Sequence, residues 1–140
     1  KDFKYTGPAS LKGKKIGVLK ASTQEKYALG ELKPAGVDVV AYEAQDQVYL
    51  DIKAGRLDGT VADHVEVTGG FLSKPEGKDY ELKGEELYIP KYFGIGAGIG
   101  LRKGQDALKG ELNAAIKAIR TNGTYRQIND KYFKFDVYGK

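Results

Sequence analysis

Lys15-Ile16-Gly17-Val18-Leu19-Lys20-Ala21-Ser22-Thr23-Gln24-Glu25 (KIGVLKASTQE, residues 15–25) changes character within a few residues. Its first half, Lys15 to Leu19, is a short apolar run of strand length. Its second half carries a helix-start signal, with Ser22 followed three positions later by Glu25. A strand feeding a helix across a short turn is the unit from which parallel sheets are built. The helix is expected to end near Lys33, because Pro34 disfavours helix in its predecessor and Gly36 supports a turn.

Outward from this unit the alternation repeats. Val37 to Tyr42 (VDVVAY) reads as a second strand, and Asp46 as the cap of a helix through Ala54 with Val48 and Ile52 four apart. Gly55 is placed as its left-handed stop. Gly59 to Ala62 is a third strand, and Asp63 directly after it opens a helix over His64 to Leu72. The order βαβαβα with short connections predicts an α/β fold, a three-layer sandwich with a mainly parallel sheet; right-handed crossovers limit the strand orders, of which 2-1-3 is the one expected. Tyr80 to Leu82 is read as a further short strand. In Tyr92 to Arg102 (YFGIGAGIGLR), Ile95, Ala97, Ile99 and Leu101 alternate with glycines, so period two predicts a strand, read as a Gly-rich crossover or hinge strand and expected to run antiparallel. Leu108, Leu112, Ala115, Ile116 and Ile119 mark one face of a long amphipathic helix. Asn122-Gly123 stops it, Thr124 caps a last helix, and an aromatic tail (Phe133, Phe135, Tyr138) follows.

Composition narrows the function classes. The 140 residues are 41% apolar and 30% charged, which suits a globular chain. The net charge of +4 is spread among interleaved lysines and acids, so the clustered footprint of a nucleic-acid binder is missing. No run is long and apolar enough to span a bilayer, and Lys1 to Lys14 has no signal-peptide core. Without an initiator Met the chain is read as processed or trimmed. It has no Cys, so neither a disulfide nor thiolate chemistry is expected.

In an open α/β sheet ligands bind beyond the carboxyl ends of the strands, where strand order reverses. With the order 2-1-3, that point carries Ser22, Thr23 and Gln24 after the first strand and Asp63 after the third. Free backbone N–H groups and two hydroxyls at a helix start suit an anion, and Asp63 suits an ammonium group, so the pair suits a zwitterion. Ser22, Thr23 and Asp63 are equally ordinary helix caps, and the residues alone leave both readings open. His64, the sole histidine, has only Glu66 nearby in sequence and falls short of a metal-ligand set. No G-x-S-x-G, G-x-G-x-x-G or P-loop spacing occurs, and Asn122-Gly123-Thr124 is read as a stop and cap rather than a glycosylation site. No catalytic residue, metal or cofactor is expected.

Longer motifs carry a resemblance. Leu11 to Leu19 (LKGKKIGVL) with Ser22-Thr23-Gln24-Glu25, then Gln45-Asp46-Gln47-Val48-Tyr49, Ala54-Gly55-Arg56-Leu57-Asp58, Gly70-Phe71-Leu72 and Gly77-Lys78-Asp79-Tyr80 follow one another in order. Lys91-Tyr92-Phe93-Gly94, Gly98 to Lys103, Asn122 to Tyr125 and Lys131-Tyr132-Phe133 through Val137-Tyr138-Gly139 complete the series. Over about Leu11 to Lys140 the chain resembles the second lobe and C-terminal segment of lysine/arginine/ornithine- and histidine-binding periplasmic proteins.

The resemblance implies a type II periplasmic-binding-protein lobe over residues 1–101. It implies a segment over 102–140 that packs on the first lobe in the full-length family. It further implies a non-enzymatic, periplasmic solute-binding subunit of an ABC importer, with arginine, lysine, ornithine or histidine as ligand and the importer's membrane subunits as partners. Ser22 and Thr23 then match contacts to the α-carboxylate, Asp63 the contact to the α-ammonium, and Leu19 and Gln24 the side-chain part of the pocket. A glycine usual before the Ser/Thr pair is Ala21 here. The N-terminal part of the first lobe, which supplies an aromatic clamp and an arginine for the carboxylate, is read as absent. The apolar faces beyond Arg102 then need another cover, by folding back or in a homodimer. Two other classes stay on the table: a cyclohexadienyl-dehydratase-like enzyme using Asp63 or His64, and a structural dimerising half-protein.

Overall fold

The computed structural model describes residues 3–138, which fall into two compact units divided between Ile95 and Gly96. In the first unit, strand β1 (Lys15–Leu19) lies between β2 (Asp38–Tyr42) and β3 (Gly59–Thr60), both parallel to it. Ile16 stands opposite Val39 on one side and Gly59 on the other. The first crossover is α1 (Thr23–Tyr27), continued by a π turn over Ala28–Leu32 and a 3-10 turn over Lys33–Ala35. The second is α2 (Gln45–Lys53). After β3 comes α3 (His64–Val67), continued by a π turn over Thr68–Leu72.

Alternation along β1 divides the apolar residues between two cores. Ile16 and Val18 join Tyr27, Ala28, Leu32 and Val37 on one face. Gly17 points to the other, where Val48, Tyr49, Ile52, Leu57, Val67 and Phe71 pack with Val40 and Tyr42. Helices therefore cover both faces of the sheet, giving the three layers expected of the α/β sandwich. Gly55 ends α2 at φ 70°, a left-handed conformation that costs a residue without Cβ nothing. On the first face the short helix α4 (Pro90–Phe93) sets Tyr92 and Phe93 against Tyr27, each with ring centroids 5.6 Å away.

Asp58 ties β3 to the start of β1. Its Oδ2 accepts the Lys15 N–H at 2.8 Å and its Oδ1 meets the Lys14 ammonium at 2.9 Å, while its own N–H donates to the Lys15 carbonyl. The Lys15 amide first, and the Lys14 charge second, hold its carboxyl below the usual carboxylate range. A folded value below the unfolded one, about 3.9, gives stability that is present above the unfolded value and lost as pH falls through the folded one. The urea midpoint of Asp58→Asn is expected to lie below that of the unsubstituted chain at pH 7, and the gap is expected to shrink progressively as pH falls below the unfolded value of about 3.9. A gap that persists in acid would assign the effect to packing instead of charge.

Several expectations need correction. No strand forms at Tyr80 to Leu82. The Gly-rich crossover strand is absent too: among the described residues the sheet has three parallel strands and no antiparallel one. Gly94 at φ 67° and Gly96 at φ 135° turn the backbone out of strand geometry, and Ile95 between them is fully exposed. β3 is two residues instead of four. Asp46 sits in the first turn of α2 behind Ala44, which makes no side-chain cap.

In the second unit, α5 (Asp106–Thr121) has no buried residue, and α6 (Thr124–Tyr132) starts after Gly123. Thr124 is not the cap: its N–H is taken by the Asn122 side chain at 3.0 Å. The tail is held by Asn129, which donates to the Phe135 carbonyl at 2.9 Å and accepts the Val137 N–H at 3.1 Å. Gly139, which ends the quoted motif, and Lys140 lie outside the described residues.

Candidate functional site

Because β1 and β3 are parallel neighbours, their carboxyl ends open on the same edge of the sheet, and α1 and α3 both begin there. Ser22 has extended backbone and caps α1 in both directions. Its Oγ accepts the Glu25 N–H at 3.0 Å and donates to the Leu19 carbonyl at 2.6 Å. Glu25 reaches back with Oε2 to accept the Ala21 N–H at 2.7 Å. In an ordinary capping box that bond goes to the cap residue itself, one position later. Ala21 stands at φ 58°, the sole non-glycine with positive φ among the described residues. Thr23 Oγ1 donates to Gln24 Oε1 at 3.2 Å in an exposed setting.

Asp63 starts α3 in the same manner, its Oδ1 accepting the Glu66 N–H at 3.0 Å. Its second oxygen has no hydrogen-bond partner among the described residues. Between the two helix starts lies a cavity of about 80 Å³ lined by Leu19, Gln24 and Asp63, with Val61 and Ala62 as its apolar wall. Ser22 and Thr23 do not line it. Gln45 and Glu66 do; sequence reading does not place Gln45 at the site, and weighs Glu66 only as a partner of His64. Gln45 opens α2 after β2, at the same sheet edge, so counting every helix start on that edge would have found it.

The lining carries two carboxylates and two amides, with no Lys or Arg, so it favours a solute with positive charge. Glu66 is held there by the Tyr49 hydroxyl, which donates to its Oε2. Burial first, and the neighbouring Glu66 carboxylate second, push the Tyr49 phenol above its ordinary value, so it stays a donor across neutral pH. A volume of about 80 Å³ is far below the roughly 300–1,000 Å³ of sites that enclose a small molecule. It can seat part of a solute, with the remainder open to whatever faces this edge.

Other places do less. His64 Nδ1 lies 2.7 Å from Glu86 Oε1 and is not in the cavity lining. Among the described residues no group of three or more acids and histidines is placed to hold a metal ion, and no helix is long and apolar enough to cross a membrane. A wider concavity of about 500 Å³ lies between Tyr5 to Pro8, Tyr27 and Gly84 to Ile89. Its Glu86 is the residue that meets His64, and its Glu31 is already bound by the Tyr92 hydroxyl at 2.7 Å.

The profile of the family described as bacterial extracellular solute-binding proteins, family 3, matches residues 1–135. The L-arginine-binding protein of Pseudomonas aeruginosa is 56% identical over 131 residues, which cover 94% of this chain and 51% of that protein. The lysine/arginine/ornithine-binding periplasmic protein of Escherichia coli is 50% identical over 130 residues, 93% of this chain and 50% of that one. The chain thus spans about half the length of the curated relatives it matches. Among solved structures, a Salmonella typhimurium periplasmic binding protein described for high arginine specificity superposes with a TM-score of 0.74 at 32% identity, over 96% of this chain and 57% of that one. An ancestral arginine-binding protein bound to arginine gives 0.72 at 30% identity, over 92% and 54%. The α/β sandwich is accordingly a type II periplasmic-binding-protein lobe.

Proposed function

The chain belongs to the bacterial extracellular solute-binding proteins, family 3, and from that membership we propose that it is the second ligand-gripping lobe of a periplasmic importer subunit for a basic amino acid. Residues 1–101 form that lobe in this reading, and 102–140 the segment that packs on the first lobe of the full-length protein. Arginine is the preferred candidate ligand, with lysine, ornithine and histidine as its rivals, and the receiving partner is the membrane part of an ABC importer. No catalytic step is assigned.

One observation carries the reading: Leu19, Gln24 and Asp63, from the ends of two neighbouring parallel strands, line the same acidic cavity. In the proposed complex the free Asp63 oxygen takes the α-ammonium. The N–H groups at the start of α1, with the Thr23 hydroxyl, take the α-carboxylate, so that opposite charges of one zwitterion are matched at one sheet edge. The side chain passes Leu19 and Gln24 and continues toward the surface that the remaining half of a full-length relative would supply.

A half-site implies weak binding by this chain alone. Titrating arginine into the isotopically labelled chain is expected to shift the amides of Ala21 to Gln24 and of Asp63, with a Kd on the order of 1 mM. Asp63→Asn should raise that Kd about tenfold by removing one side of a charge pair. Absence of localised shifts at saturating arginine would sink the proposal, and nanomolar binding by a demonstrated monomer would sink the half-site argument. Light scattering that finds a dimer would assign the apolar stripe of α5, Leu112, Ile116 and Ile119, to a second copy.

A further inference from the structure

We propose that Glu25 is a positioning residue for the solute's carboxylate, acting through the strained residue Ala21; the inference rests on the solute-binding reading of the same site. An alanine in the left-handed region costs roughly 1–2 kcal/mol, because its Cβ crowds the following carbonyl. Such a conformation persists only where its surroundings hold it. Here the holder is visible. The Glu25 carboxylate takes the Ala21 N–H at 2.7 Å, while the Glu25 N–H is itself fixed by Ser22 Oγ at 3.0 Å and Ser22 Oγ is anchored on Leu19 O at 2.6 Å.

These three bonds close a small cage around residues 19–25. The cage sets the direction in which the chain leaves β1 and enters α1, and therefore where the Thr23 and Gln24 amides stand relative to Asp63. A cap that only stabilised the helix would satisfy the N–H of Ser22, the cap residue. Shifting the acceptor one position back to Ala21 instead secures the residue that needs restraint.

The test is a set of four chains, unsubstituted, Glu25→Ala, Glu25→Gln and Glu25→Ala with Ala21→Gly, each measured by arginine titration and by exchange of the residue-21 amide. Glu25→Ala is expected to deprotect that amide and to weaken arginine roughly fivefold, the worth of one hydrogen bond. Glu25→Gln keeps an acceptor oxygen and should stay within about twofold of the unsubstituted chain. Glycine at position 21 adopts the left-handed conformation unaided, so the double variant should recover most of the lost affinity although the cap is still missing. If Glu25→Ala lowers the melting temperature and leaves the arginine Kd unchanged, Glu25 is only a cap and the proposal is overturned. If Glu25→Gln is as weak as Glu25→Ala, the carboxylate's charge is what matters and the positioning role falls. A protected Ala21 amide in an unsubstituted chain that shows no arginine shifts overturns the solute-binding reading instead, and the ligand role of Glu25 with it.

Discussion

Phe71→Ala is expected to lower the stability of the chain by about 3–5 kcal/mol, the usual range for emptying a buried phenylalanine site. Phe71 is 3% exposed and lies in the second core, stacked on Tyr49 with centroids 4.7 Å apart and planes 7° from parallel, and tilted against Tyr80 at 5.1 Å. Its neighbours come from α2 and from the loop after Gly77, so no single segment can collapse into the gap. Total stabilities of about 5–15 kcal/mol make this a large fraction, and the melting temperature should fall by roughly 10–20 °C. Urea unfolding followed by circular dichroism reads it directly, and a loss under about 1 kcal/mol would mean that the ring is not a core element. The effect also reaches the site. Tyr49 is the ring that Phe71 holds and the hydroxyl that holds Glu66 at the cavity, so arginine-induced shifts should weaken even where the chain remains folded.

Elements declared by neighbours in sequence were legible, and those that depend on distant partners were not. β1 is found at its observed bounds because an apolar run ends in a cap signal, and Ser22 does cap α1 through Glu25. Alternation and right-handed crossovers limited the strand orders without choosing among them, and the expected order 2-1-3 is the one observed. The glycine-rich segment misled because period two is satisfied by any alternation of small and large residues, whereas strand geometry also needs negative φ at every residue. The site was legible as a place. Which side chains share the cavity was not, because Gln45 and Glu66 enter it through the packing of α2 and α3, and Ser22 and Thr23 turn their side chains to the cap and to Gln24. The left-handed Ala21 has no signature in its own residue type, which argues against that conformation, and the sole hint is the glycine usual at this position in the resembled family.

The second large effect is expected at Gly17, in the middle of β1. Built onto that backbone, a Cβ would stand 2.5 Å from Leu57 Cδ1 and 2.8 Å from Val48 Cγ1. Leu57 can rotate, but Val48 is β-branched, wholly buried and fixed on α2, so the second contact is relieved only by moving the helix. Overpacking of this kind costs about 1–3 kcal/mol, so Gly17→Ala should lose about 2 kcal/mol. Gly17→Val, which adds two more methyl groups to the same space, should lose at least about 3 kcal/mol despite its better strand propensity. Gly59 provides the control on the adjacent strand: its added Cβ meets only Ile16 Cδ1, at 3.6 Å, so Gly59→Ala is expected to change stability by less than about 1 kcal/mol. Equal losses at the two positions would show that the close contacts at Gly17 do not set the cost, since removing a glycine's backbone freedom favours folding at both. A steep loss at Gly17 alone would show that the closeness of α2 to β1 sets it. That closeness also places Gln45, at the start of the same helix, over the carboxyl end of the sheet, so Gly17→Val should perturb the arginine-responsive amides before the chain unfolds.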